Sequence, residues 1–492
     1  MTLPNPAAPP GPSIFRNWLS LIGLVVVVGA FFSFVLLLLL DLSSSGGNPY
    51  VGILAYLILP LVLVIGLVLV GLGLVIARFQ IARAGGGPFP PLILDFSRPR
   101  ARRTLVLFVS GSLFFLLFAA VASYRSYHFS ESVQFCGQAC HTVMHPEFTT
   151  YRHSPHARVA CSECHIGSGA AWYVKAKISG LYQVYAVLFN KFERPLKTPV
   201  KSLRPAQETC EQCHWPQKFS GDLDRVYPHF LSDKSNTPFT VRLSLKVGGS
   251  DLTRGPVGGI HWHMNVGNWI EYIARDELRQ VIPWVRVVDQ QGVVTEFQTP
   301  DFKPDPGRDV VRRMDCMDCH NRPAHIFQTA DEAVNMALSL GLLDATLPFV
   351  KKTAVEALTR PYATKEEALQ KIATAMHGQY RQDPRYRRTI DEVQKIYLNN
   401  FFPEMQTSWK VHPDNLGHLY FPGCFRCHDG EHKTADGKQE IRASDCTTCH
   451  VILAQGAGEQ LRQLNPQGLA FEHPAGDVGA MQCHECHTGG GQ

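Results

Sequence analysis

Fourteen cysteines carry the chemistry open to this sequence, and all of them fall in one pattern. They form seven pairs, each followed at once by a histidine: Cys136/Cys140–His141, Cys161/Cys164–His165, Cys210/Cys213–His214, Cys316/Cys319–His320, Cys424/Cys427–His428, Cys446/Cys449–His450 and Cys483/Cys486–His487. Six read C-x-x-C-H, and the first has one residue more, C-G-Q-A-C-H. Zinc knuckles would use such pairs two at a time or borrow distant histidines. An odd number of pairs, each with its own His and with no cysteine left over, suits neither zinc nor a disulfide framework. The pattern is the attachment site of c-type haem. Two thiols add to the vinyl groups on one edge of the porphyrin, and the adjacent imidazole swings under the ring to bind iron. The three-residue gap of the first motif still lets both sulfurs reach. The expected cofactor is therefore seven haem c, with the seven motif histidines as proximal ligands.

A low-spin electron-transfer haem needs a ligand on each side of the iron. Of 21 histidines, fourteen lie outside the motifs, enough for bis-His ligation with half to spare. The candidates by position are His156 in S-P-H-A-R-V-A-C, His261 and His263 in G-G-I-H-W-H-M, and His325 in C-H-N-R-P-A-H. His418 in G-H-L-Y-F-P-G-C, His432 in H-D-G-E-H and His473 in F-E-H-P complete the set. Any one of them can instead be a surface histidine or a propionate contact. On a strand, His261 and His263 would share a face, so one is expected on iron and the other not. Met144, three residues after His141, is a candidate thioether ligand that would raise the first haem's potential; a core methionine is the commoner use of this residue.

Haem c is attached outside the cytoplasm, so other elements must export these motifs. Three apolar stretches without a charged side chain open the chain, Trp18–Leu40, Tyr50–Ala77 and Thr104–Ser123. Each is close to or above the ~20 residues that cross hydrocarbon as a helix. The first is too long for the core of a cleaved signal and no small-residue cleavage site follows it; the Pro-rich start is expected to be a disordered cytoplasmic tail over 1–17. The segment Arg78–Arg103 carries six Arg against one Asp, whereas Asp41–Pro49 has no basic residue. The positive-inside rule then puts the N-terminus and Arg78–Arg103 in the cytoplasm, and everything after Tyr124, with all seven motifs, outside. Residues 1–123 hold a net charge of +5, the whole chain's excess, so the basic balance comes from the membrane loops and is no sign of nucleic acid.

The expected fold is an N-terminal bundle of three transmembrane helices (18–123) plus a periplasmic multihaem cytochrome c domain, mostly helical and irregular, with a small β-rich insertion. That domain divides into a three-haem region (124–230), an insertion without attachment sites (231–315) and a four-haem region (316–492). Phe239–Val247 alternates as a half-buried strand does, and Trp284–Val288 with Val293–Phe297 reads as a strand pair. Ala330–Leu340, Leu347–Leu358, Lys365–Met376 and Ile390–Asn399 have helical periodicity.

The stretch Phe135–Trp215, with F-C-G-Q-A-C-H-T-V-M-H-P-E, Y-R-H-S-P-H-A-R-V-A-C-S-E-C-H, K-A-K-I-S-G and R-P-L-K-T-P-V before C-E-Q-C-H-W-P, resembles the NapC/NirT family of membrane-anchored quinol dehydrogenases. The remainder, with G-I-H-W-H and C-H-N-R-P-A-H, is similar to longer seven-haem inner-membrane cytochromes of the ImcH type. The small family members have one anchoring helix, four haems, usually two residues between the first cysteines, and Met closer to the motif His. The resemblance implies quinol oxidation at the membrane surface, Met144 on the first haem, and a Lys near the quinol site or on an iron. Lys175 and Lys177 match that position, and either can equally be a solvated helix residue. The implied partners are the bacterial inner membrane, the quinone pool and soluble periplasmic c-type cytochromes. Two rival readings are a terminal multihaem reductase of a nitrogen or sulfur oxyanion, and the subunit through which electrons enter a larger membrane complex. The first needs an open iron, and no motif replaces its His by Lys; against a haem or proton path in the membrane, the first two spans hold no His, Asp or Glu.

Overall fold

The computed structural model describes residues 17–43, 58–83, 97, 99–139, 141–167, 170–200, 203–215, 219–248, 258–264, 268–380, 383–442, 446–479 and 481–490. The tail expected to be disordered and most of the Arg-rich loop lie outside these residues. The chain divides into two compact units, one of residues 1–136 and 161–182, the other of 137–160 and 183–492.

The first unit is built on three long helices, α1 (Trp18–Ser43), α2 (Leu59–Arg83) and α3 (Pro99–Ser130). Two of them are long and apolar enough to cross a membrane, over Trp18–Leu37 and Leu59–Gln80, with mean hydropathies of 2.7 and 3.0. Phe31, Phe32, Leu61 and Val68 stand exposed on them, which only a lipid surround makes favourable. Among apolar helices the hydrophobic effect does not choose neighbours, so close packing at small residues does. Here α1 meets α2 through Gly23, Gly66, Gly73 and Ser20: a Cβ on Gly66 would lie 2.9 Å from Val27 Cγ2, and one on Gly23 would lie 2.7 Å from Val70 N. Asn17 joins the two by donating from Nδ2 to Gly73 O at 2.9 Å. The third apolar stretch lies inside the 32-residue helix α3. The unit also holds α5 (Cys161–His165) and the start of α6 (Ala170–Leu188).

The second unit contains α4 (His141–Arg152), α7 (Ala206–Cys210), two sheets, a helical core and the C-terminal motifs. The expected helices are α9 (Ala330–Ser339), α10 (Val350–Thr359), α11 (Lys365–Tyr380) and α12 (Tyr386–Asn400). They bury Val334, Leu347, Val350, Val355, Leu358, Ile372, Met376 and Val393 in one apolar cluster. The first sheet is antiparallel, in the order β1 (Leu223–Phe230), β2 (Pro238–Leu245), β7 (His450–Gly456). The second has the order β5 (Val294–Gln298), β4 (Trp284–Val288), β3 (Trp269–Ile273), β6 (Val311–Arg313). The β-rich region expected over 231–315 thus draws one strand from before it and one from after it. β7 starts on the His of the sixth motif, with His450 opposite Leu245, and β6 leads straight into the fourth motif. Both sheets therefore hold attachment sites in place.

Candidate haem-binding sites

Most of the attachment motifs are built on a single helical turn. The second lies on α5, the fourth on α8 (Cys316–Cys319) and the last on α13 (Cys483–Cys486), and the third begins at the end of α7. Outside the regular helices, the N–H of the motif His donates to the carbonyl of the first Cys at 2.8 Å for His214, His320 and His487 and at 3.0 Å for His428. An i,i+3 spacing on such a turn points both sulfurs to one side and sends the next residue past them. The sequence around two motifs writes the turn. In D-C-M-D-C-H, Asp315 Oδ1 accepts from Met317 N and Asp318 Oδ2 from Asp315 N, each at 2.8 Å, a reciprocal capping box. In Q-C-H-E-C-H, Glu485 Oε2 accepts from Gln482 N at 3.0 Å. Asp318 is itself buried, paired with Arg279 at 2.7 Å and bonded by the Tyr272 hydroxyl. Arg426, inside the fifth motif, donates to Asp318 O at 2.7 Å and Arg279 O at 2.9 Å, so the fourth and fifth motifs are tied together. The Cys136 and Cys161 thiols are hydrogen-bonded to each other, as are those of Cys210 and Cys316, which brings these attachment edges side by side.

Cys213 is not on a helix and not buried. α7 stops at Cys210, and Cys213 closes the turn that follows by donating from its N–H to Cys210 O at 3.1 Å, with its side chain exposed. By contrast, burial pushes the Cys164 thiol up and those of Cys319 and Cys427 to about 12. Cys449 is not on a helix either. The 3-10 turn Cys446–Thr448 ends before it, and its carbonyl accepts from Lys246 N at 2.8 Å. The physical reason is the sheet: pairing with the end of β2 draws the chain straight from Cys449 into β7, where the other motifs finish their turn. Cys140 lies outside the described residues.

Five motif histidines each face one histidine from elsewhere. The ring centres are 6.1 Å apart for His156 and His214, 6.4 Å for His261 and His320, and 5.8 Å for His263 and His428. They are 6.2 Å apart for His418 and His450 and 5.9 Å for His473 and His487. An iron with an imidazole nitrogen about 2 Å away on either side holds two ring centres roughly 6 Å apart, so the five gaps fit a ligated iron. The protonation of the rings fits as well. Nδ1 lies 3.0 Å from Pro323 O in His156, 3.1 Å from Val247 O in His261 and 2.8 Å from Ile260 O in His263. A carbonyl only accepts, so the proton stands on Nδ1 and Nε2 is left with its lone pair, the tautomer a metal ligand needs. Burial pushes His261, His320, His418, His428, His450 and His487 below the ordinary imidazole value, which keeps them neutral. His473 differs: its Nδ1 accepts from Ala475 N at 3.1 Å, a bond that iron ligation would have to release.

The G-I-H-W-H segment is a 3-10 turn over Ile260–Met264, not a strand. The turn sends its two histidines to different neighbours, His261 to His320 and His263 to His428. Glycine makes the turn reachable. Gly248 and Gly259 have φ of +63° and +72°, and a Cβ on Gly248 would lie 1.8 Å from Gly258 O. This crossing lets Ile260 N and His261 N donate to Lys246 O and Val247 O, at 2.8 and 3.1 Å, against the end of β2.

His432 is placed otherwise than the sequence suggests. It is fully buried, with Nδ1 2.8 Å from Asp429 Oδ1 and Nε2 2.7 Å from Ile282 O, so both nitrogens face protein oxygens and the ring latches the loop after the fifth motif to the second sheet. His325 is oriented by Glu147 O, 2.9 Å from its Nδ1. Met144 sits half-buried on α4. Lys175 is exposed over the Trp172 ring at 4.7 Å, while Lys177 pairs with Glu131 at 2.7 Å.

Arg322 and His412 were not singled out by the sequence. The Arg322 guanidinium is buried, donates to Thr198 Oγ1 at 3.2 Å and lies over Phe327, with no carboxylate within ion-pair distance among the described residues. His412 beside it is 3% exposed, with Nε2 unpartnered, and its pKa is pushed down to about 3 by burial first and the Arg322 charge second. Glu147 and Asp414 act on Arg322 only from beyond ion-pair distance; a buried cation with no carboxylate in direct contact is costly, and a haem propionate is the carboxylate such a site would take.

The NapC/NirT cytochrome c family, N-terminal region, matches residues 98–214. The cytochrome c-type protein ImcH of Geobacter sulfurreducens is 40% identical over 491 residues, 96% of this chain and 95% of that protein. This chain belongs to the NapC/NirT cytochrome c family. The cytochrome c-type protein NrfH of Wolinella succinogenes is 33% identical over 78 residues, 15% of this chain and 44% of that protein. No solved structure matches. As a NapC/NirT-family protein with ImcH-like length, the chain is a membrane-associated multihaem cytochrome that carries haem c and works in electron transfer.

Proposed function

We propose that this cytochrome oxidises quinol at the bacterial inner membrane and passes the electrons through seven c-type haems to soluble periplasmic cytochromes. The observation that carries the reading is the set of five histidine pairs. With a ligand on each side, an iron has no place for a substrate and is suited to electron transfer. Haem, when bound, supplies the one-electron chemistry. The chain supplies the attachment cysteines, Cys213 and Cys449 among them, and the paired imidazoles His214/His156, His320/His261, His428/His263, His450/His418 and His487/His473. Arg322 serves as a propionate anchor. Met144 is the candidate ligand of the first haem; His325 is a further candidate.

Three spans, with Thr104–Ser123 as the third, put the N-terminus inside and leave the first motif, which opens at Cys136, a short step beyond the membrane. Quinol therefore meets the first haem, and the electrons leave from the C-terminal motifs. The pyridine haemochrome of the purified protein should give seven haems per chain, and a reduced menaquinol analogue added to membranes should reduce them. Failure of the analogue to reduce any haem would sink the quinol assignment. A large high-spin signal in the electron paramagnetic resonance spectrum would favour the terminal-reductase reading instead.

A further inference from the structure

The carboxylate of Glu131 has no role in the haem sites, yet it is built into the first unit with care. It follows the last residue of α3 and is 9% exposed. Its Oε1 accepts from Lys177 Nζ at 2.7 Å, and the same ammonium donates to Ser130 Oγ at 3.3 Å. Ser162 of α5 donates to the Glu131 backbone carbonyl at 3.4 Å, so three elements fix its position. Its other oxygen, Oε2, is buried with no hydrogen-bond partner among the described residues. Buried carboxylate oxygens are ordinarily satisfied, and one left bare costs about 1–3 kcal/mol or more. A donor is therefore missing at Oε2.

The surroundings say which donor. The Cys136 thiol feels the charges of Glu131 and Lys177 after that of Cys161, so the carboxylate stands near the first attachment site. On the stretches of chain next to Glu131 and Lys177, Phe129, Phe135, Ile178 and Leu181 are 59%, 37%, 63% and 73% exposed, and the rings of the two phenylalanines meet edge to face at 5.3 Å. The fitting ligand has a hydroxyl for Oε2, a flat ring for the phenylalanines and an apolar body.

We infer that Glu131 is the catalytic proton acceptor of quinol oxidation, with Lys177 as the residue that positions it. This rests on the quinol reading above. A quinol hydroxyl donates to Oε2; as its O–H bond breaks the proton is left on Oε2, and the electron would go to an oxidised haem held by the first motif. Glu131 hands that proton to water, and the second hydroxyl follows by the same route. Each quinol thus becomes quinone, with two electrons on haem and two protons released. Lys177 holds the Glu131 carboxylate in place between transfers, which is a different task from binding iron: an ammonium engaged with a carboxylate offers no lone pair.

The test is single-turnover reduction of the haems by menadiol in the full-length holoprotein in nanodiscs. Glu131→Gln is expected to slow it by about 100-fold, the lower end for loss of a general base, and to abolish the slowing by deuterated solvent, while dithionite still reduces every haem and the haem count is unchanged. Glu131→Asp draws the oxygen back by one methylene and is expected to be about tenfold slower or more. Wild-type rate and isotope effect in Glu131→Gln would overturn the assignment and leave Oε2 as a water site. If Glu131→Gln fails to mature, the wild-type rate in Glu131→Asp overturns it equally. If menadiol leaves the unmutated protein oxidised while dithionite reduces it, the quinol reading itself fails, and this inference with it.

Discussion

His261 and His263 differ by two positions and have different partners, and that separates their loss. His261→Ala should convert one haem, the one on the fourth motif, from low to high spin, and His263→Ala should do the same to the one on the fifth. Electron paramagnetic resonance should show one high-spin haem in each variant and two in the double variant. His432→Ala should leave the spin state untouched and lower stability by about 1–3 kcal/mol, the cost of two acceptors left bare, read as an earlier thermal transition. His412 sets a pH limit. Its folded-state pKa lies near 3, below the 6.5 of an ordinary histidine, so the unfolded chain binds the proton first. Stability is full above about 6.5 and is lost as pH falls through the window toward 3. Thermal melts of His412→Gln should show a shallower loss over that window than the unmutated protein.

At the scale of elements, the attachment chemistry is legible because it is local: two cysteines and a histidine within five or six residues specify a haem wherever the chain goes. The helices around Val334, Val355, Ile372 and Val393 are legible for the same reason, through their period. What could not be read is which element meets which. His156 precedes the second motif but faces the His of the third, and His418 precedes the fifth but faces that of the sixth. Identical motifs also hide different backbones, as Cys449 shows, because a distant strand decides where its turn ends. β1, with Pro228 inside it, and β7, overlapping a haem motif, carry no clean alternation; pairing with β2 makes them strands. The pair Glu131–Lys177 joins positions far apart in the chain and has no local signal. The anchor gives a test at this scale. Gly66→Leu forces a side chain into α1 where Val27 already stands. Overpacking of this kind costs about 1–3 kcal/mol, so the detergent-solubilised protein should aggregate at lower temperature than the parent, whereas Gly71→Leu, with open space around it, should not.

For the whole molecule, the proposed topology has the N-terminus inside and the haem domain outside. Alkaline phosphatase fused within 44–49 should be active, and fused within 84–96 it should be inactive; the reverse would turn the haem domain to the wrong side for attachment. Beyond electron flow, the turn at Ile260–Met264 has a consequence for how the protein is made. In the proposed ligation, one short segment closes the coordination of two irons whose attachment motifs are 108 residues apart, counted from Cys316 to Cys424. While only the fourth motif has been loaded, its imidazole partner is held at one end and idle at the other. Loading the fifth then locks both. Biogenesis should therefore be all-or-none for this pair: mass spectra of chains from a strain with weak haem-ligation machinery should be short of both haems or of neither, and seldom of one.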